Sequence, residues 1–325
     1  GIATCRQVLS YAPTDPNALY MMGVAAAQLG DANTTQVAFD AALKVTPDRV
    51  DLLMNYGNFL RETGALERAR VLLQRASELA PKTAGVWQAL SSTQLRLERF
   101  DAALVSAERF IALAPKEAAA WELAAGAAQR LGNLDRALAI IKGGLESLPE
   151  SPSLHYALGQ LNRENGEFAA ASTAYERARQ LGFQSADLYR NNAESLLEEG
   201  RPLDAAAFAR AGLARFPSDI ALHQVATRLH VESKSPGDPV GELMKAARSE
   251  RTNATLWETA IGFLKYLDRE EDEQRLLEEA LSSGSPKTPR LLSLQAIAMA
   301  EAGDTKQMVA TYENRLGRFP EDAGV

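Results

Sequence analysis

The chain has 325 residues, of which 46% are hydrophobic and 24% charged, proportions within the range of folded soluble proteins. Its net charge of −7 argues against a general nucleic-acid binder, which needs a basic surface to displace phosphate counterions. Cys5 is the only cysteine, so no intrachain disulfide forms, and no apolar stretch reaches the ~18 residues that cross a membrane.

Residues 1–12, at the start of the chain, fit the second half of a helix, with Cys5 and Val8 at its packing positions. From there on, proline recurs at intervals of 34 residues, as Pro13, Pro47, Pro81, Pro115, Pro149 and, two intervals later, Pro217. A fixed period of this length indicates an array of repeats, each packing mainly on its neighbours.

The proline is taken as position 32 of each repeat, which fixes the register. The predicted repeats then start at Pro16, Val50, Ala84, Ala118, Pro152, Ala186, Ile220, Ala254 and Pro289. Residues 1–13 are the end of a preceding repeat. The start at Pro289 is one residue late, which predicts one inserted residue in the Ser282–Thr288 loop.

Each repeat is predicted to hold two helices, A and B. Helix A has a large packing residue at position 4 and often a small one at position 8, such as Gly23 or Gly57. Glycine then ends helix A in a left-handed conformation, at Gly30, Gly64, Gly132, Gly166, Gly200 and Gly303. Helix B carries small residues at positions 20 and 27 and a larger one at 24. Proline closes it, since proline has no N–H to continue a helix.

These positions resemble the tetratricopeptide-repeat family over essentially the whole chain. The second repeat carries nine of the signature residues: Leu53, Tyr56, Gly57, Leu60, Gly64, Ala69, Leu73, Ala76 and Pro81. The resemblance implies an all-α fold, an α-solenoid of antiparallel helix pairs stacked in a right-handed superhelix, with helix A lining the concave face. Residues 1–325 are therefore predicted to form a single array.

The repeat at residues 220–251 departs from the pattern and is interpreted as degenerate. It lacks the glycine turn and the position-20 alanine, and reads Ser-Lys-Ser-Pro-Gly-Asp-Pro-Val over residues 233–240. Asp238 is predicted to cap a shortened helix B that begins at Pro239. The segment is either a decayed repeat with a longer loop, or a hinge or docking loop. Phe183 and Arg251 replace the closing proline of two repeats, so those helices are expected to run on slightly.

No residue pattern indicates catalysis, a cofactor or a metal. Nucleotide-binding glycine loops, cysteine metal spacings and HExxH are absent. His155, His223 and His230 fall at packing positions, as do the tryptophans Trp87, Trp121 and Trp257. The acidic run over residues 268–273 is interpreted as the start of a helix, where the helix dipole favours carboxylates.

The candidate site is a stripe along successive A helices. Positions 2, 5, 9 and 12 cluster on one helix face, about 130° from the packing face. The stripe carries six basic and five acidic residues, so it is less acidic than the whole chain at −7. Such a mix of amides, aromatics and a few charges suits a peptide; the alternative is an ordinary solvated face. The candidate groove residues are Tyr20, Met54, Asn55, Asn58, Arg61, Gln88, Tyr156, Gln160, Arg163, Arg190, Asn191 and Arg228.

Two ligand-binding patterns of the family are not matched. The carboxylate clamp needs lysine at position 5 and asparagine at position 9, and no lysine occurs at position 5. The asparagine ladder at position 6, found in protein-glycosylating members, is matched by Asn55 and Asn191 alone.

The first functional hypothesis is a non-enzymatic scaffold that binds a protein or peptide segment in its concave groove. No nucleic acid, membrane insertion or cofactor is expected, and a cytoplasmic location is slightly favoured. The chain begins inside a repeat and ends soon after Pro320, so we expect a piece of a larger protein. Two alternatives stay open. One is the substrate-recruiting arm of a larger oxygenase, glycosyltransferase or sulfotransferase. The other is an envelope assembly or secretion factor. Oligomeric state and ligand identity are left open.

Overall fold

The structure of the chain is a computed structural model, which describes residues 1–234, 237–282, 287–301, 303 and 305–318. Within these residues all regular structure is helical and no strand occurs, so the predicted all-α class is confirmed. The inserted residue predicted between Ser282 and Thr288, the residues Ser235 and Pro236, and the closing Pro320 lie outside the described residues.

Nineteen helices are described. They are α1 Ile2–Tyr11, α2 Pro16–Gln28, α3 Ala32–Val45, α4 Val50–Glu62, α5 Leu66–Leu79, α6 Ala84–Arg96, α7 Phe100–Leu113, α8 Ala118–Arg130, α9 Leu134–Ser147, α10 Pro152–Glu164, α11 Phe168–Gln180, α12 Ala186–Glu198, α13 Pro202–Leu213, α14 Ile220–Ser233, α15 Pro239–Ser249, α16 Ala254–Tyr266, α17 Glu270–Ser282, α18 Pro289–Glu301 and α19 Thr305–Arg318.

The helices pack as consecutive pairs, which is the arrangement of a helical-repeat solenoid. The chain divides into two compact units. Unit 1 comprises residues 1–167 with 177–183, and unit 2 comprises residues 168–176 with 184–325. The single array over residues 1–325 stays a prediction, and the units are described separately below.

Every repeat turns between its two helices through a backbone with positive φ at position 15. Six of these positions hold the predicted glycines. The other three hold Glu98, Lys234 and Asp268, with φ of 57°, 48° and 53°. These are the described non-glycine residues with positive φ, so the turn geometry persists even where glycine is missing.

Small residues at positions 8 and 27 allow neighbouring helices to approach. A Cβ added to Gly23 would lie 2.5 Å from the Phe39 ring, and one added to Gly57 would lie 2.7 Å from Cγ of Leu73. In unit 2, a Cβ on Gly212 would lie 2.6 Å from Cβ of Tyr189. Any larger side chain at these positions would have to displace a core residue.

The ring at position 4 ties helix A to the loop before it. In three repeats an indole N–H donates to the carbonyl six residues earlier, as from Trp87 Nε1 to Pro81 O at 2.8 Å. His155 Nε2 lies 2.9 Å from Pro149 O, and His223 Nε2 lies 2.8 Å from Pro217 O. A carbonyl only accepts, so Nε2 of both histidines carries the proton. The predicted packing role of this position is confirmed, with an added hydrogen bond.

Helices α11 and α15 do not run on, so that prediction was wrong. Gly182, with φ of 93°, ends α11 one residue earlier in the repeat than α3, α5, α7 and α9 end, and Phe183 N–H donates to Ala178 O at 2.9 Å. Phe183 instead stacks on Tyr156, with ring centroids 4.5 Å apart. The predicted cap of α15 is confirmed, because Asp238 Oδ1 accepts from Gly241 N–H at 3.0 Å.

Candidate ligand-binding groove

Neighbouring A helices of unit 1 lie side by side. Helix α4 contacts α6, and α6 contacts α8, so the exposed faces of all three meet. A cavity of about 430 Å³ opens along them. It is lined by Asn58 and Arg61 from α4, by Gly85, Gln88, Ala89, Ser92 and Leu95 from α6, and by Ala119, Glu122 and Leu123 from α8.

The cavity offers hydrogen-bonding groups of both kinds and opposite charges. Oδ1 of Asn58 is buried and has no hydrogen-bond partner among the described residues. Gln88 is exposed, Arg61 and Glu122 are partly exposed, and Ser92 adds a hydroxyl. A buried acceptor without a partner is costly, and a ligand donor would satisfy it.

A second group of predicted residues lies at α2 and α4. Asn55 Nδ2 donates to the hydroxyl of Tyr20 at 2.6 Å. The guanidinium of Arg49 lies over the Tyr20 ring, 4.2 Å from its centroid. Met54 lies near Gly85, whose added Cβ would be 3.4 Å from Cε of Met54. Tyr20 and Asn55 are therefore fixed by each other rather than independently exposed.

A third group lies on α10, still in unit 1. Gln160 Nε2 donates to the Tyr156 hydroxyl at 3.2 Å, one helical turn away. Because the Phe183 ring stacks on Tyr156, one face of the tyrosine is already covered. Arg163 is partly buried on the same helix. Tyr156 thus has less free surface than an isolated aromatic anchor.

The remaining predicted residues lie in unit 2. Arg190 forms an ion pair with Asp187 at 2.5 Å, and Arg228 is exposed. Asn191 is only 5% exposed, so it belongs to the core of unit 2 and is corrected from a groove residue to a buried one. Position 6 lies outside the stripe positions 2, 5, 9 and 12, so Asn191 was a candidate only through its match to the asparagine ladder.

Several groove residues were missed by the choice made from the sequence. Gly85, Ala119, Ser92 and Leu95 occupy positions 2, 9 and 12 of their repeats, and each lines the cavity. The stripe rule already contained these positions, but the choice favoured amides, aromatics and charges. The small side chains among them, at Gly85, Ser92 and Ala119, leave space for the cavity.

Among the described residues, no group of three or more His, Cys, Asp or Glu side chains is arranged to hold a metal ion. Over the same residues, no helix combines the length and the apolar character needed to cross a membrane.

Two family models, both described as tetratricopeptide repeat, match residues 26–92 and residues 89–152 and 156–220. No curated protein matches the sequence. Among solved structures, a tetratricopeptide repeat protein from Parabacteroides merdae is 16% identical with a TM-score of 0.57, and the alignment covers 82% of this chain and 99% of that one.

Two further structures share the fold. PilW, described as a type IV pilus biogenesis factor, is 16% identical with a TM-score of 0.55, over 65% of this chain and 97% of that one. PilF of Pseudomonas aeruginosa is 16% identical with a TM-score of 0.52, over 64% of this chain and 95% of that one. At these identities the likeness shows the fold alone. Repeats of this kind generally mediate protein–protein interactions and are typically non-catalytic. On its matched residues and its packed helix pairs, the chain belongs to the tetratricopeptide-repeat family.

Proposed function

We propose that this chain is a protein-interaction scaffold that binds an extended peptide or protein segment along the A-helix faces of α4, α6 and α8. The observation that carries the proposal is the cavity of about 430 Å³ lined mostly by stripe positions of these three helices. A surface formed by several helices surrounds a ligand and desolvates several contacts together, which is how a few residues come to dominate binding.

The chemistry of the cavity favours an extended backbone as the ligand. Gln88 carries both a donor and an acceptor, and Asn58 carries an acceptor that lacks a partner. Peptide N–H and C=O groups complement such amides without requiring one side chain. Arg61 and Glu122 have opposite charges, so this stretch favours a segment that presents no concentrated charge of one sign.

The test is a selection of peptides from a displayed library on the purified chain, followed by affinity measurements on variants. Asn58→Ala and Gln88→Ala are each expected to weaken a selected peptide by about 1–3 kcal/mol. The matched control is Val71→Ala on helix α5, where Val71 is 55% exposed and outside the cavity lining. The proposal is wrong if Val71→Ala abolishes binding while both groove variants, with unchanged melting temperatures, keep full affinity.

A further inference from the structure

A separate cavity of about 410 Å³ lies within unit 2, where the repeat pattern breaks. The other described B helices from α3 to α17 begin at position 17 of their repeat, whereas α15 begins at Pro239, position 20. Gly237 and Asp238 are not helical, so part of the first turn of a regular helix B is missing here. The cavity occupies the place beside that missing turn, between α13, α14 and the start of α15.

Most of the cavity wall is apolar. Ala206, Leu213 and Ala214 contribute from α13 and its C-cap, Pro217 from the following loop, and Ala226 from α14. A volume of this size, with apolar walls and few polar groups, is typical of sites for small molecules.

His223 gives the cavity a buried polar group that a ligand could hydrogen-bond. The residue is 1% exposed and lines the wall, and its Nε2–H donates to Pro217 O at 2.8 Å. Burial lowers the pKa of His223, so the ring is neutral at pH 7. Its Nδ1 is then an acceptor without a hydrogen-bond partner among the described residues, because the nearby backbone of Pro239 has no N–H to donate. A ligand that supplied an N–H or O–H donor would satisfy this buried acceptor.

Arg210, an exposed residue, gives the cavity its one positive charge among the described lining residues. Of the two acids on the wall, Glu242 pairs with Lys245 at 2.8 Å, and Asp238 lies 3.4 Å from Arg269, which pairs more closely with Asp272 at 2.7 Å. Arg210 donates from Nε to Ala206 O at 3.4 Å, and no carboxylate of the described residues forms an ion pair with it. Its guanidinium therefore favours an anionic group on the ligand.

We propose that this cavity binds a small aromatic acid whose ring carries an N–H or O–H donor, with the ring in the apolar part, the donor toward His223 and the carboxylate at Arg210. A free aromatic acid and the C-terminal tryptophan of a peptide present the same chemistry. The site shares no residue with the groove on α4, α6 and α8, so it goes beyond the proposed function and does not depend on it.

The probes are indole-3-acetate and the peptide Gly-Gly-Trp, titrated into the full chain by calorimetry. At least one is expected to bind with a dissociation constant of about 1 mM or below, and which one binds identifies the source. Benzofuran-3-acetate has the same shape without the donor and is expected to bind about tenfold more weakly than indole-3-acetate, the loss that one orphaned hydrogen bond produces. Equal affinity for these two acids, or binding of neither probe, overturns the proposal.

Three variants locate the site. Ala214→Trp fills the mouth from an exposed position and should abolish binding. Arg210→Gln should weaken indole-3-acetate severalfold and leave unsubstituted indole unchanged. His223→Phe should weaken the acid about tenfold, whereas His155→Phe, which loses the matching bond to Pro149 O outside the cavity, should not. Binding that survives Ala214→Trp in a protein of unchanged melting temperature, or equal losses in the two histidine variants, overturns the assignment.

Discussion

At position 15 of the repeat, a residue can adopt a backbone conformation that its own side chain disfavours. Glu98 adopts a φ of 57° at a turn where six other repeats use glycine. A left-handed conformation costs a side-chain-bearing residue about 1–2 kcal/mol, while glycine loses about 0.5–1 kcal/mol more entropy on folding. The first effect is the larger one. The ion pair of Glu98 with Arg130 is long, at 3.7 Å, and exposed, so it contributes little.

Glu98→Gly is therefore expected to stabilise unit 1 by about 0.5–1 kcal/mol, measured by urea unfolding. Its reciprocal control is Gly132→Ala, where glycine has a φ of 75° and no atom within 4 Å of an added Cβ, so that only backbone strain is introduced. That control should destabilise. A loss of stability in Glu98→Gly would contradict the strain argument.

Two helical glycines separate packing from helix propensity. Gly23→Ala should destabilise, because the new Cβ would lie 2.5 Å from the Phe39 ring. Overpacking costs about 1–3 kcal/mol, which outweighs the roughly 1 kcal/mol that alanine gains in a helix. Gly126→Ala should instead stabilise by up to about 1 kcal/mol, since no atom lies within 4 Å of its added Cβ. The two unfolding free energies should shift in opposite directions; a shift of the same sign would exclude the packing explanation.

The buried histidine predicts a pH dependence. Burial lowers the pKa of His223 below the usual 6.5, and this outweighs the opposite influence of the Pro217 and Pro239 backbone and of the Asp219 and Glu242 charges. The unfolded chain therefore binds a proton at His223 more readily than the folded chain. The contribution to stability is complete above pH 6.5 and is lost as the pH falls through the folded pKa.

The expected result is a lower melting temperature at pH 5 than at pH 7.5, with a smaller drop in His223→Phe. His155→Phe is the matched control, because it removes the same kind of bond to a proline carbonyl. If both variants show the drop of the unmodified chain, His223 is not the group responsible.

At the scale of the helix, sequence periodicity predicted most of what the structure contains. Proline, glycine and alanine act locally: they stop a helix, reverse the chain or admit a close neighbour, so their spacing alone indicates helix ends. The predictions that failed depended on substitutions. Phe183 was expected to lengthen α11, but the adjacent Gly182 ends that helix through its own positive φ. Lys234 replaces the lost glycine with the same turn.

Helix α15 is predicted to be less stable than the neighbouring B helices. It has 11 residues, and its first turn depends on the Asp238 cap. Asp238→Ala should cost about 1 kcal/mol by loss of the cap and also removes the pairing with Arg269. Amide exchange in α15 should be faster than in α7 and α9 of unit 1, and faster still in the variant. Equal protection of α15 and α9 would contradict this weakness.

At the scale of the molecule, the stripe could be predicted from the sequence but the cavities could not. Helical geometry specifies which positions share a face, and those positions do line the α4–α6–α8 cavity. Whether a cavity forms depends on which stripe residues are small, such as Gly85 and Ser92, and on where a helix begins. Neither is set by the period. The unit 2 cavity lies beside the late start of α15. The sequence predicted that late start, but it did not indicate that a cavity would form there.

The period also predicts how the chain responds to losing a whole repeat. Helices α6 and α7 occupy residues 84–117 with their loops, and their neighbours α5 and α8 belong to equivalent repeats. Deleting these residues joins Thr83 directly to Ala118. Pro81 to Thr83 are the equivalents of Pro115 to Glu117, so helix A of the next repeat again follows a complete helix B. In a nearest-neighbour array such a deletion removes one set of interfaces and re-forms one of the same type.

Deletion of residues 84–117 should therefore give a protein with the same fraction of helix by circular dichroism and a cooperative, somewhat lower melting transition. Deletion of residues 84–99, which removes α6 alone, leaves two B helices in succession, so α7 loses the A helix of its own repeat, on which it packs. That variant should lose cooperativity and a larger share of its helix. If the two deletions behave alike, the stability of unit 1 does not rest on repeated neighbour interfaces, because only the first deletion preserves them.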